Sequence, residues 1–174
     1  MLALWLIPAP AALVQPHIPA VVQIERQGES ALICMDVPVA PERAWAVLTD
    51  YAHTFAAMPD VQAVEVLSRQ GNNIRLRQRL QAPYTFGLAI ETVLEGQEDP
   101  RRFKLNYALV RGTHIRNLSG HWTLTAIAGG STRIEHSLTL NPDVPSLLLG
   151  TFQNLHDTSL EEGFRALRQL MLSP

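Results

Sequence analysis

The chain has 174 residues, of which 47% are apolar and 17% charged, so it can form one domain with a substantial core and is not a disordered chain. Its formal net charge of -2 comes from 14 basic and 16 acidic residues spread along the sequence, which leaves no basic face for nucleic acid. The single cysteine, Cys34, excludes an internal disulfide and a cysteine-rich zinc cluster, and its place in a predicted strand indicates a buried, unreactive thiol.

The first 24 residues contain no Asp, Glu, Lys or Arg, and Ala9-Pro10-Ala11 resembles a signal-peptidase site. The basic start of a signal peptide is missing, and Pro8 and Pro10 break an apolar run that is shorter than the roughly 20 residues of a membrane span. We expect residues 1–19 to be a truncated signal peptide or a flexible apolar arm, and residues 20–174 to form a single domain. The first alternative predicts export to the periplasm or the medium, and the second a cytoplasmic protein.

A strand and two short helices are predicted first. Residues 21–37 have the pattern of an extended segment, with a turn or bulge at Gln27-Gly28-Glu29. Pro41 suits the first turn of a helix, whose apolar residues include Trp45 and Leu48. A second short helix can continue to Pro59, because the residue before a proline is driven out of the helical region.

After Pro59 the apolar residues alternate, which predicts six strands joined by short links and therefore an antiparallel meander. In NIRLRQRL, Ile74, Leu76 and Leu80 share one face and the arginines share the other, so one face of the sheet is in water. Residues 147–172 have the apolar spacing of a long helix. An antiparallel sheet must cover its apolar face, and this helix is the element large enough to do so.

Three segments resemble the START-like (SRPBCC) superfamily, in particular its polyketide cyclase/dehydrase and Coq10-like branch. They are VPVAPERAWAVLTDY (37–51), MPDVQAVEVL (58–67) and RNLSGHWTLTAIAGGSTRIEHSLTL (116–140). The resemblance implies an α+β helix-grip fold, in which a curved seven-stranded antiparallel sheet wraps around the C-terminal helix and two short helices lie between strands 1 and 2. It also implies an elongated apolar cavity for lipids, quinones or polyketides.

Metalloprotease, nucleophile-elbow, P-loop and dinucleotide motifs are all missing from the sequence, so no metal or cofactor is expected. Any chemistry must come from side chains that the strands direct into the cavity. Arg116 would pair with an acidic ligand group if it points inward, whereas a bulge near Gly112 or Gly120 would turn it to water. Tyr107 is either a ligand-facing donor or a core residue bonded to backbone. The predicted ligand-binding residues are Phe103, Tyr107, Arg116, Trp122, His136, Phe152 and His156.

The leading hypothesis is a protein that binds or carries a hydrophobic small molecule. The alternative is a cyclase or dehydratase acting on a polyketide-like substrate, with His136 or His156 as base and Arg116 or Tyr107 stabilising the enolate. Against this stands the commoner role of a lone histidine on an apolar face as a satisfied core residue. A third hypothesis is a ribosome-associating interaction protein, because the Coq10-like branch includes a toxin of that kind.

Overall fold

A computed structural model describes residues 22–174; the signal-like segment, residues 1–19, lies outside the described part of the chain. The strands are β1 Gln23–Gln27, β2 Ser30–Val37, β3 Val61–Gln70, β4 Asn73–Leu80, β5 Ile90–Asp99, β6 Lys104–Gly112, β7 Ile115–Ile127 and β8 Ser131–Pro142. The helices are α1 Pro41–Thr49, α2 Tyr51–Ala56 and α3 Leu149–Leu172, with short 3-10 turns at Pro83–Thr85, Ala128–Gly130 and Ser146–Leu148.

The eight strands form one antiparallel sheet in the order β1-β2-β8-β7-β6-β5-β4-β3. The six strands predicted after Pro59 are confirmed as the meander β3 to β8. The segment predicted as one first strand is a hairpin of two, because Gly28 takes a φ of +61° and reverses the chain between β1 and β2. The sheet therefore has eight strands where seven were predicted, and the α+β helix-grip architecture is confirmed.

The two short helices follow the prediction. Pro41 opens α1, and Ala44, Trp45 and Leu48 are its buried residues. Trp45 packs on Phe103 with ring centroids 6.0 Å apart, at the end of the core. After α2, Met58 and Pro59 lead the chain into β3, so this pair of helices joins β2 to the opposite edge of the sheet.

The outer face of the sheet carries cross-strand ion pairs. Arg75 donates to Glu95 at 2.9 Å and Arg77 donates to Glu65 at 2.8 Å, and all four side chains are exposed. Exposed pairs of this kind contribute little to stability. They mark the solvent face of the sheet, and the alternate residues of β4 lie on its inner face.

Helix α3 covers the inner face. Phe152, Phe164, Leu167 and Met171 are among its buried residues, and Phe164 stacks on Trp122 of β7 with centroids 5.3 Å apart. Within residues 22–174, no helix combines the length and apolar character needed to cross a membrane.

Candidate ligand cavity

The main cavity lies between α3, α2 with the turn that follows it, and the inner face of the sheet, and its volume is about 180 Å³. Most of its wall is apolar. The apolar lining includes Leu48, Phe55, Met58, Leu80, Phe164 and Leu167. A concave, largely apolar site with a few polar groups has the composition of a small-molecule binding site.

A second cavity of about 120 Å³ lies deeper against β4, β5 and β6. Its apolar lining includes Ile74, Leu76, Leu94, Leu105 and Leu118. Four side chains line both cavities and therefore form the partition between them: Phe55, Gln78, Trp122 and His136. The two cavities are thus neighbours whose shared wall consists of two aromatic rings, an imidazole and an amide.

His136 is the centre of this partition. Its ring stacks on Trp122 with centroids 3.8 Å apart and planes 5° apart, since the two residues are direct cross-strand partners on β8 and β7. Its Nε2 shares a hydrogen bond of 2.8 Å with the Tyr107 hydroxyl. Its Nδ1 is buried and has no hydrogen-bond partner within the described part of the chain.

Burial controls the protonation of this pair. It lowers the pKa of His136 to about 3, with smaller contributions from His121 and His156, so the imidazole is neutral at pH 7. Burial also raises the pKa of Tyr107 well above its ordinary value, so the hydroxyl keeps its proton. The pair can donate and accept hydrogen bonds, and it is poorly suited to accept a proton from a substrate.

Gly120 leaves room for the Tyr107 side chain over β7. Gly120 is the cross-strand partner of Tyr107, and a Cβ at this glycine would lie 2.6 Å from the Tyr107 hydroxyl and 2.4 Å from the Ser137 carbonyl oxygen. The tyrosine ring can therefore lie directly over the β7 backbone and reach His136. A side chain at position 120 would displace it.

His156 contributes a second imidazole from α3. Arg26 donates from Nη2 to His156 Nδ1 at 3.0 Å, and donates from Nε to the Asp157 carboxylate at 2.8 and 3.0 Å. Burial, and then the Arg26 charge, lower the pKa of His156 to about 4, while Asp157 opposes them. The His156 ring packs edge-on against Tyr84, with centroids 5.0 Å apart.

Asp60, Tyr84, His156 and Ser159 all line the main cavity and form its polar end. Burial raises the pKa of the Asp60 carboxyl, and the nearby Ser159 hydroxyl partly opposes this. Burial and the Asp60 charge raise the pKa of the Tyr84 hydroxyl. These groups come from the turn before β3, the Pro83–Thr85 turn and α3, so the fold alone brings them together.

Four of the predicted ligand-binding residues line a cavity. Trp122 and His136 line both, His156 lines the main one and Tyr107 lines the deeper one. Tyr107 bonds the side chain of His136, whereas the sequence suggested a ligand or backbone partner.

Of the two directions that the sequence allowed for Arg116, the structure shows the outward one, caused by a bulge. The pairing of β7 with β8 shifts register between Ile115 and Asn117, and this bulge turns Arg116 outward. Its side chain is 64% exposed and pairs with Asp143. Arg116 therefore contacts neither cavity.

Phe103 and Phe152 also lie outside the linings of both cavities. Phe103 has a φ of +51° in the turn before β6, which breaks the alternation that would have aimed it with Tyr107, and it packs on Trp45. Phe152 lies behind the cavity wall, stacked on His156 with centroids 5.7 Å apart and in edge contact with Tyr84. Phe152 is a buried core residue, and Phe103 is partly buried against the core.

Sequence reasoning missed Gln78. It is 7% exposed on the inner face of β4, between Leu76 and Leu80, and it lines both cavities. The signal was present in NIRLRQRL, where Gln78 has the same parity as Ile74, Leu76 and Leu80. A polar residue at an inward position of a clearly alternating strand indicates a functional or networked group.

Cys34 is less buried than predicted. It is half-buried on the face of β2 opposite to Ile33 and Met35, and burial raises the pKa of its thiol. In residues 22–174 no three His, Cys, Asp or Glu side chains are grouped closely enough to hold a metal ion.

Residues 33–171 match the family described as polyketide cyclase/dehydrase and lipid transport. The chain belongs to this family. Its place in the START-like superfamily, which the sequence segments indicated, is thereby confirmed. No curated protein sequence matches the chain.

Solved structures share the fold of this family member. A protein from Thermus thermophilus superposes with a TM-score of 0.75 at 22% identity, over 82% of this chain and 97% of the other. A START superfamily protein from Mycobacterium smegmatis gives 0.67 at 15% identity, over 82% and 99%. The Zhui aromatase/cyclase from Streptomyces sp. R1128 gives 0.66 at 15% identity, over 82% and 90%. At these identities the likeness extends to the fold alone.

Proposed function

We propose that this protein binds a hydrophobic small molecule, such as a lipid, a quinone or a polyketide, in the main cavity between α3 and the sheet. The observation that carries the proposal is the cavity itself, whose wall is mostly apolar and whose polar groups lie chiefly in the partition and at the end formed by Asp60, Tyr84, His156 and Ser159. Such an arrangement suits an apolar body with one or two polar substituents.

The affinity would come mainly from apolar contact. Each 100 Å² of ligand surface removed from water contributes about 2.5 kcal/mol, from which the cost of association is subtracted. The polar groups would orient the bound ligand. Gln78 and His156 can each offer a hydrogen bond to a substituent, and their loss would change selectivity more than affinity.

The alternative, a cyclase or dehydratase acting on a polyketide-like substrate, is less well supported by the geometry. It requires His136 or His156 to act as base, and the pKa values of about 3 and about 4 make both weak bases at neutral pH. Arg116, one of the groups expected to stabilise an enolate, faces solvent. The aromatase/cyclase with the same fold keeps this alternative open to test.

The proposal can be tested by filling the cavity. Gly163 lines the main cavity on α3, and a Cβ there would make an ordinary contact of 3.7 Å with Met58 Sδ. Gly163→Leu should therefore fold well, gain helix propensity of up to about 1 kcal/mol and occupy the ligand space. Native mass spectrometry with oleate, decylubiquinone and emodin should show adducts for the wild type and a loss of at least about tenfold in affinity for the variant.

Gly150→Leu is the matched control, because Gly150 lies on the same helix, lines neither cavity and has nothing within 4 Å of its Cβ position. It should bind like the wild type. Equal binding by all three proteins, or no adduct with any of the three compounds, would contradict the proposal. Turnover of a reactive poly-β-ketone that is lost in both His136→Gln and His156→Gln would favour the enzyme instead.

A further inference from the structure

Arg26 joins the first strand of the sheet to the middle of α3. Its Nε and Nη2 groups bind the Asp157 carboxylate, and Nη2 also lies 3.0 Å from His156 Nδ1. The Arg26 side chain is 15% exposed, so this contact is largely shielded from water. One guanidinium is thus held by Asp157 in a position where it faces the imidazole of His156.

The chemistry of arginine decides which nitrogen of His156 carries the proton. A guanidinium has five N–H donors and no acceptor, so it can hydrogen-bond Nδ1 only through the lone pair of that nitrogen. The neutral ring must then carry its proton on Nε2. A second proton on Nδ1 would break the contact and place two cationic groups side by side.

The remaining nitrogen is available to a ligand. His156 lines the main cavity, while Tyr84 and Phe152 pack around its ring with centroids 5.0 and 5.7 Å away. Nε2 makes no hydrogen bond to any residue that the structure describes. Nε2 is not among the fully buried polar atoms that lack a partner, so it keeps some accessible surface, at which a ligand or water can accept its hydrogen bond.

We propose that Arg26 is a positioning residue that fixes His156 as a neutral donor through Nε2, so that the ligand end bound there carries a hydrogen-bond acceptor such as a carbonyl oxygen. The statement that the ligand carries an acceptor rests on the proposed function. The charges around the ring agree with it, because Arg26 lowers the pKa of His156 and burial lowers it further, against the opposing effect of Asp157.

The first test uses the protein without ligand. In ¹⁵N-histidine-labelled wild type, NMR should show His156 with a protonated Nε2 and an unprotonated Nδ1. Arg26→Met, which keeps the apolar stem and removes the donors, should give a mixture of tautomers and a ring that titrates at higher pH. A protonated Nδ1 in the wild type, or an unchanged tautomer in Arg26→Met, would overturn the role of Arg26.

Arg43→Met is the matched control for a purely structural effect. Arg43 also ties another element to α3, donating from α1 to the Ser173 carbonyl at 2.6 Å and to the Met171 carbonyl at 3.4 Å. These contacts lie at the far end of the helix from His156. The Arg43 variant should therefore keep the wild-type tautomer even if it loses stability.

The second test compares fluorene with 9-fluorenone, which has nearly the same shape and adds one carbonyl acceptor. Displacement of 1-anilinonaphthalene-8-sulfonate should show that the wild type prefers fluorenone by about 3- to 10-fold, the effect of one hydrogen bond. Arg26→Met should lower this ratio in proportion to the fraction of rings that keep the proton on Nε2, about twofold for an even mixture of tautomers, and Arg43→Met should keep the wild-type ratio.

The outcomes separate the two claims. Equal affinity of the wild type for both compounds would overturn the acceptor inference. If the wild type binds neither compound but forms adducts with oleate, decylubiquinone or emodin, the acceptor inference fails and the proposed function stands; if it binds none of the five, both fail. The NMR result alone decides whether Arg26 fixes the tautomer.

Discussion

His136 is the most constrained polar residue of the interior. It is stacked on Trp122 and bonded to Tyr107 through Nε2, and its Nδ1 is buried with no partner in the described part of the chain. An unsatisfied buried group costs about 1–3 kcal/mol, a cost that a protein tolerates where function requires the group. The neutral ring therefore favours a role in ligand contact over one in proton transfer.

Acidification should destabilise the protein through His136 and His156, the two histidines that are buried within residues 22–174. Their folded-state pKa values of about 3 and about 4 lie below the value of 6.5 expected in the unfolded chain. Between pH 6.5 and 5 the unfolded state binds protons that the folded state does not, so the free energy of unfolding falls as the pH falls. Each histidine contributes up to about 1.4 kcal/mol per pH unit.

Urea unfolding at several pH values between 7 and 5 measures the slope of the free energy of unfolding against pH. His136→Gln should reduce it by the share of one histidine. His156→Gln should reduce it by a similar share, because the pKa of His156 is also lowered, to about 4. A slope that is the same in His136→Gln and in the wild type would show that His136 is not buried as a neutral ring.

Gly120→Ala should disturb the Tyr107–His136 hydrogen bond. The added methyl would meet the Ser137 carbonyl at 2.4 Å and the Tyr107 hydroxyl at 2.6 Å, so backbone and ring must both move. We expect a loss of about 1–3 kcal/mol in the free energy of unfolding, measured with urea. Gly150→Ala, where nothing lies within 4 Å, should be neutral or slightly stabilising; equal effects would contradict the close packing at Gly120.

At the scale of the elements, alternation and proline placement were sufficient to predict β3 to β8, the two short helices and α3. The differences between the predicted and the observed side-chain directions are local. Arg116 faces water because of one bulge, and Phe103 leaves the inner face because of one positive φ, neither of which alters the apolar pattern. The Arg26–His156 contact joins residues 130 positions apart, so it depends on the tertiary arrangement and has no local sequence signal.

Helix α2 contributes the partition residue that is easiest to change. Phe55 lines both cavities, is half-buried, and stacks on Tyr51 with centroids 6.0 Å apart. Phe55→Ala should open the partition and join the two cavities. The variant should then accommodate longer fatty acids, with a gain of up to about fourfold in affinity for each further methylene that becomes buried.

A series of saturated fatty acids from octanoate to stearate would reveal this change as a shift of the preferred chain length. His53→Ala on the same helix is the control, since His53 lies at the surface. An unchanged preference in Phe55→Ala would mean that the second cavity does not receive the ligand.

At the scale of the whole molecule, the sheet and α3 enclose the cavities. The fold determines their shape, and a few polar side chains determine which ligand groups they can bind. The family and the solved structures account for the shape. The polar groups that would select a ligand come from distant parts of the chain: β1, the turn before β3, β4, the Pro83–Thr85 turn, β6, β8 and α3. Selectivity is therefore a property of the assembled fold.

The most direct test of ligand binding in this space is NMR of the tryptophan indole N–H groups during titration with oleate or 9-fluorenone. Trp122 lines both cavities, whereas Trp45 packs on Phe103 and lines neither. A bound ligand should shift the Trp122 signal at saturation and leave the Trp45 signal in place. Binding that shifts Trp45 and spares Trp122, or a titration that changes neither signal, would contradict the account.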